Sequence, residues 1–139
     1  MNRYLPVFIE VFSSIIYKYK FEVKSIDDVT ILLSKKDFQL EFIMWRETTD
    51  IFYNIIISKT KIEKFSISDF IISNINEQDR NIGVTTYSND TPFQRNIRAL
   101  KYFSNLFSRS FSGMLEGDKK WLEDYKNSPY FEEPRIIDR

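Results

Sequence analysis

The stretch Phe38-Gln39-Leu40-Glu41-Phe42-Ile43-Met44-Trp45, followed five residues later by Ile51-Phe52-Tyr53-Asn54-Ile55-Ile56-Ile57-Ser58, decides how this chain is read. Side chains alternate between the two sides of an extended strand. Phe38, Leu40, Phe42 and Met44 therefore share one face, as do Ile51, Tyr53, Ile55 and Ile57. Two such runs joined by a polar turn over Arg46 to Asp50 predict an antiparallel hairpin, since parallel strands need long crossovers. Upstream, Phe21 to Lys24 and Val29 to Leu33 read as two shorter strands separated by Asp27-Asp28. Ser34-Lys35-Lys36-Asp37 makes the next turn. Lys59 to Phe65 reads as a lysine-rich edge strand, a composition that discourages edge-to-edge pairing.

The flanking segments read as helices. Pro6 suits a first helical turn, and Phe8, Ile9, Phe12, Ile15, Ile16 and Tyr19 follow as one apolar stripe. A short helix capped by Ser66 or Ser68 is expected through about Ile75, and Ile82 to Tyr87 is an optional extra strand. A long helix starts at Asp90 or Thr91, with Pro92 just inside, and carries Phe93, Ile97, Leu100, Phe103, Phe107, Phe111, Met114 and Leu115. Gly117 stops it, and Asp118 caps a final helix, Lys119 to Lys126. The tail from Pro129 is expected to be extended. The expected fold class is α+β in a single domain over residues 1–139: an N-terminal helix, an antiparallel meander of three to five strands, a long C-terminal helix and a short final one. Phe12, Ile16, Leu40, Phe42, Ile55, Phe103 and Phe107 are the expected core, and Trp121 is the anchor of the last helix.

Composition bounds the chemistry. The chain has 139 residues, with 42% hydrophobic and 29% charged, and 19 Ile against a single Ala, Ala99. Its core should be built from β-branched and aromatic side chains. There is no His and no Cys. That removes imidazole triads, imidazole- or thiolate-ligated metals, thiol nucleophiles and disulfides. Twenty basic and twenty acidic residues cancel, so overall charge makes no case for nucleic acid or membrane. The first residues make a poor signal peptide and no run approaches the ~20 residues of a bilayer span. The expectation is a soluble, cytoplasmic protein.

Motifs for catalysis are incomplete. Glu22-Val23-Lys24 is a Glu-x-Lys triplet of the kind that metal-dependent nucleases use, but no acidic residue stands on a preceding strand. The pairs Asp27-Asp28, Glu123-Asp124 and Glu132-Glu133 lack calcium-loop spacing and read as turn and capping groups. Gly83, Gly113 and Gly117 make no phosphate loop. No catalytic residue, metal or cofactor is expected.

Two surface features remain. Between Thr91 and Leu115 there is no acidic residue, and Arg95, Arg98 and Arg109 could share one flank of the long helix. That flank reads either as a solvated face or as a docking strip. The second face of the central strands carries Ile43, Trp45, Phe52 and Ile56, where a sheet covered on one side should be polar. Either the long helix covers that face as a third layer, or it packs beside the first helix and leaves an apolar patch for a partner. The candidate partner-binding residues are therefore Trp45, Phe52, Arg95, Arg98 and Arg109.

The order of elements, together with Leu115-Glu116-Gly117-Asp118-Lys119-Lys120-Trp121-Leu122-Glu123-Asp124-Tyr125, resembles small bacterial immunity-type proteins encoded beside polymorphic or contact-dependent growth inhibition toxins. Several such families end in a similar Leu-x-Gly-Asp-x-x-Trp-Leu-x-x-Tyr segment. The resemblance implies a non-enzymatic protein whose partner is a cognate protein toxin. The neutral charge departs from the acidic balance expected of an inhibitor of a basic nuclease. The alternative is a small carboxylate-based enzyme, or a nucleic-acid-binding protein using the basic helix.

Overall fold

A computed structural model describes residues 2–46, 48–74 and 91–139. Six antiparallel strands lie in sequence order: β1 (Glu22–Ser25), β2 (Thr30–Ser34), β3 (Phe38–Trp45), β4 (Thr48–Ile56), β5 (Lys61–Ser66) and β6 (Arg135–Asp138). The helices among the described residues are α1 (Leu5–Val11), α2 (Ser13–Tyr19), α3 (Ser68–Ile72), α4 (Pro92–Ser110), α5 (Ser112–Glu116) and α6 (Lys120–Lys126). The expected α+β class is what the chain adopts. No described helix is long and apolar enough to cross a membrane.

The central hairpin follows from the alternation. Leu40 faces Tyr53, and Phe42 faces Ile51 across the β3–β4 ladder, and all four are fully buried. On this inner face the strands meet the helices. Phe42 is ringed by Phe8, Phe12 and Phe107, with ring centroids 5.1, 5.2 and 6.1 Å away. Tyr53 stands edge-on to Trp121 at 4.7 Å. Every described helix contributes buried residues to this one cluster, so all helices lie on the inner face and the architecture has two layers. The long helix α4 packs beside α1 and over β4. Of the two arrangements open from sequence, this is the one without a third helical layer.

Several boundaries differ from expectation for local reasons. The first helix is broken at Phe12, because Ser104 of α4 donates its hydroxyl to the Val11 carbonyl at 2.9 Å. A side chain inserted into the helical ladder bends it. The long helix breaks at Phe111, whose φ of −128° and ψ of 29° leave the helical region, and whose ring is buried against Phe70 and Phe107. The β3–β4 turn is shorter than read, since Trp45 pairs with Thr48. Ser68 does not cap α3. Its hydroxyl sits instead on β4, accepting from Ile51 N at 2.7 Å, and neither it nor Ser66 forms a side-chain cap. The expected edge strand, β5, is interior because the tail returns as β6 beside it. The optional strand Ile82 to Tyr87 lies outside the described residues.

Other signals fall where they were read. Thr91 and Gln94 form a reciprocal capping box, Gln94 N to Thr91 Oγ1 at 3.1 Å and Thr91 N to Gln94 Oε1 at 2.9 Å. Gly117 ends α5 at φ +94°, the left-handed conformation that glycine adopts without penalty. Asp118 stands one residue too early to cap the last helix: α6 begins at Lys120 with Lys119 in the cap position and no side-chain cap, and Asp118 accepts from Lys120 N at 2.9 Å in the turn before it. Of the expected core, Phe12, Leu40, Phe42, Phe103 and Phe107 are buried. Ile16 and Ile55 are only partly buried, packed against the cluster's rim. Trp121 is buried, as an anchor should be. Tyr125 ties down the tail: its hydroxyl donates to Ser66 O at 2.6 Å and accepts from Glu132 N at 3.1 Å.

Candidate functional site

The outer face of the sheet presents rows fixed by the pairing register. One row runs Leu32, Glu41, Phe52, Ser66, and the next runs Ser34, Gln39, Asn54, Lys64, Arg135. Toward the hairpin tip come Thr30, Ile43 and Asp50, then Trp45 and Thr48. Trp45 is 54% exposed, while Ile43, Phe52 and Ile56 are half-buried. No described helix packs on this face.

A polar cluster lies within these apolar rows. Glu41 accepts from Asn54 Nδ2 at 2.9 Å and from Lys64 Nζ at 3.2 Å. Both partners of the ion pair are largely covered, 14% and 13% exposed. The Lys64 ammonium also stands 4.3 Å above the Phe52 ring, a cation–π contact. Phe52 is therefore committed to an internal contact, whereas Trp45 is not. Beside Phe52, a cavity of about 350 Å3 opens toward Glu132, Glu133 and Arg135.

The three arginines expected on one flank do share it. At 100° per residue, Arg95, Arg98 and Arg109 fall within about 60° of one another. The flank belongs to α4, in the helical layer, so it is on the opposite side of the sheet from Trp45 and Phe52. The five expected partner-binding residues thus form two separate surfaces. Arg95 and Arg98 are half-buried and Arg109 is exposed, with its Nη2 donating to Asn74 O at 3.3 Å.

What joins the helical layer to the hairpin tip is a residue that sequence reading passed over. Asn96 of α4 is completely buried. Its Oδ1 accepts from Thr49 Oγ1 at 2.8 Å. Its Nδ2 donates to Arg46 O at 2.8 Å and lies 3.2 Å from Tyr4 Oη and 3.4 Å from Trp45 O. The signal was available: a polar amide among Phe93, Ile97 and Leu100 on an apolar stripe must be buried, and buried amides need partners.

Beside this junction lies a cleft of about 530 Å3, bounded by Arg3 and Tyr4 before α1, Met44 and Arg46 at the hairpin, Asp28 before β2, and Phe93 of α4. Tyr4 and Phe93 stack at 4.7 Å, and the Arg3 guanidinium stands 4.1 Å over the Phe93 ring. The Glu-x-Lys triplet is elsewhere, on edge strand β1, as an exposed pair 3.7 Å apart. Among the described residues no group of three or more carboxylates is placed to hold a metal ion. No family model, curated protein or solved structure matches this chain.

Proposed function

We propose that this chain is an immunity-type protein that binds and neutralises a cognate bacterial protein toxin, without catalysis of its own. The observation that carries the reading is Trp45, a tryptophan left 54% exposed at the tip of the central hairpin while its backbone is held from below by Asn96. An exposed aromatic on a rigid support is the usual anchor of a protein interface, and few residues contribute most of the binding energy there. The half-buried Ile43 beside it extends the apolar contact, and the arginines of α4 lie on another surface. The immunity resemblance of the 115–125 segment supplies the partner class.

The test is co-expression with the product of the gene immediately upstream. Protection from that product's toxicity supports the reading. Trp45→Ala should weaken affinity by about thirtyfold, the effect of a hot spot of about 2 kcal/mol, with the melting temperature unchanged. An upstream product that is not toxic, or full affinity in Trp45→Ala, would overturn it. Metal-dependent cleavage of nucleic acid by the pure protein, lost in Glu22→Ala, would overturn the non-enzymatic part.

A further inference from the structure

We infer that the cleft beside the hairpin tip is a receptor for a carboxylate side chain carried on an apolar segment of a protein partner. This rests on the protein-binding reading above and specifies the chemistry of what binds.

The first observation is Arg46. Trp45 and Thr48 pair, so the hairpin closes through a two-residue connection that begins at Arg46, with φ +24°. The tight hairpin demands positive φ there, and Gly, Asn or Asp usually supply it. This chain places an arginine there, although a non-glycine residue at positive φ is strained, and such outliers gather at ligand clamps. The Arg46 carbonyl is fixed by Asn96 Nδ2 at 2.8 Å. The only other non-glycine residue at positive φ among the described residues is Lys20, and that one is accounted for as the left-handed C-cap of α2.

The second observation is Arg3. Its guanidinium lies over Phe93. Stacking uses the face of that group and leaves its in-plane N–H donors available for a carboxylate. Among the described residues neither Arg3 nor Arg46 forms an ion pair. Among the described residues two arginines and one aspartate, Asp28, bound the cleft, a balance of one positive charge that a single carboxylate neutralises. The walls are Tyr4, Phe93 and Met44, and about 530 Å3 is far more than a lone anion fills. The occupant must therefore bring apolar groups along with its charge. The capping box already occupies the Gln94 N–H of α4, so the arginines, not the helix end, would hold the anion.

The experiment is a titration of the 15N-labelled full chain with the blocked tripeptide Ac-Leu-Glu-Phe-NH2, its Gln counterpart, and inorganic phosphate. The Glu peptide should shift the amides of Arg46, Thr91 and Phe93 and the Nε–Hε signals of Arg3 and Arg46. The Gln peptide should bind at least about tenfold more weakly, the loss of one charge-assisted hydrogen bond, and phosphate more weakly than the Glu peptide because it brings no apolar groups to the walls. Arg3→Gln and Arg46→Gln should each weaken the Glu peptide about tenfold, and Arg46→Gly, which relieves the backbone, should do the same in a chain that is certain to fold the turn. Equal shifts by the Gln peptide, stronger binding of phosphate, or no shift at millimolar Glu peptide would each overturn the assignment. If the peptide binds as expected but the upstream product is not neutralised, the immunity reading fails and the cleft stands. Neutralisation without peptide binding gives the reverse.

Discussion

Replacing Asn96 with alanine tests whether the helical layer and the hairpin tip are joined by one amide. The side chain is completely buried, and its two strongest bonds, from Thr49 Oγ1 and to Arg46 O, are both 2.8 Å. A third runs to Tyr4 Oη at 3.2 Å. A hydrogen bond contributes about 1 kcal/mol net, and a buried group left without its partner costs about 1–3 kcal/mol. Thr49 and Tyr4 are themselves buried, so water cannot easily replace the amide. Three bonds at about 1 kcal/mol each give an expected loss of about 3 kcal/mol. At about 2–4 °C per kcal/mol for a domain of this size, the melting temperature should fall by about 6–12 °C. Urea unfolding at 25 °C, with the slope unchanged, measures it.

The isosteric Asn96→Asp keeps the acceptor for Thr49 but turns the donor into an oxygen facing the Arg46 carbonyl. It should be at least as damaging as alanine despite its matched shape. A double-mutant cycle with Thr49→Val should return a coupling of about 1 kcal/mol, as for groups in direct contact. A loss below about 1 kcal/mol in Asn96→Ala, or a coupling near zero, would show that packing alone seats the hairpin and refute the junction.

Four further outcomes follow. Phe42→Ala should cost about 3–5 kcal/mol in urea unfolding, because the ring is fully buried among three other phenylalanines. Tyr53 has its pKa pushed up to about 12 by burial, with Asp37 adding to the effect. Unfolded tyrosines ionise near pH 10, so its stabilisation is intact below about pH 10 and lost as pH rises through about 12. Tyr53→Phe should blunt that alkaline loss at no cost at pH 7, since the hydroxyl has no partner among the described residues. Gly113→Ala should stabilise by about 0.5–1 kcal/mol in thermal unfolding, as an added methyl would meet only Asp118 Cβ at an ordinary 3.7 Å. Arg46→Gly should raise the melting temperature, because strain of about 1–3 kcal/mol is relieved against a smaller entropic loss.

Where side-chain period and local turn chemistry agree, the chain is legible. Phe38 to Trp45 alternates without interruption, and β3 has those bounds. Thr91 and Pro92 are a start signal, which Gln94 completes as a capping box, and Gly117 is a stop. What was not legible depends on groups far apart in sequence. The break at Phe12 needs Ser104, 93 residues from Val11. β6 is four residues after a proline-containing tail, too short for periodicity to show. Its place beside β5 is set by contacts such as the Lys61–Asp138 ion pair and Arg139 N to Thr60 O at 2.8 Å. The candidate site divides the same way. The doubly apolar sheet drew attention to Trp45, which is exposed at the hairpin tip, but grouping it with Arg95, Arg98 and Arg109 ignored that α4 lies on the other side. The arginines that do lie near the hairpin tip, Arg3 and Arg46, come from segments with no periodic pattern to draw the eye.

Two departures from local rules stand side by side at the hairpin tip. A sequence specifies a fold when propensity, pattern, turn chemistry and packing agree, and violations concentrate where function requires them. Along the described chain the large apolar residues of the central strands are buried or half-buried, except Trp45. Two non-glycine residues among those described stand at positive φ, Lys20 as the C-cap of α2 and Arg46 in the hairpin turn, and only Arg46 lies at the hairpin tip. Trp45 and Arg46 are adjacent. The carbonyl of each lies within reach of the same buried amide, Asn96, so the rigidity that a docking surface needs is supplied from the core. An Asn-Gly turn after a polar strand end would satisfy the fold at lower conformational cost. A tryptophan pointing outward and a strained arginine bordering a cleft are the two groups that the proposed docking of a partner would use together.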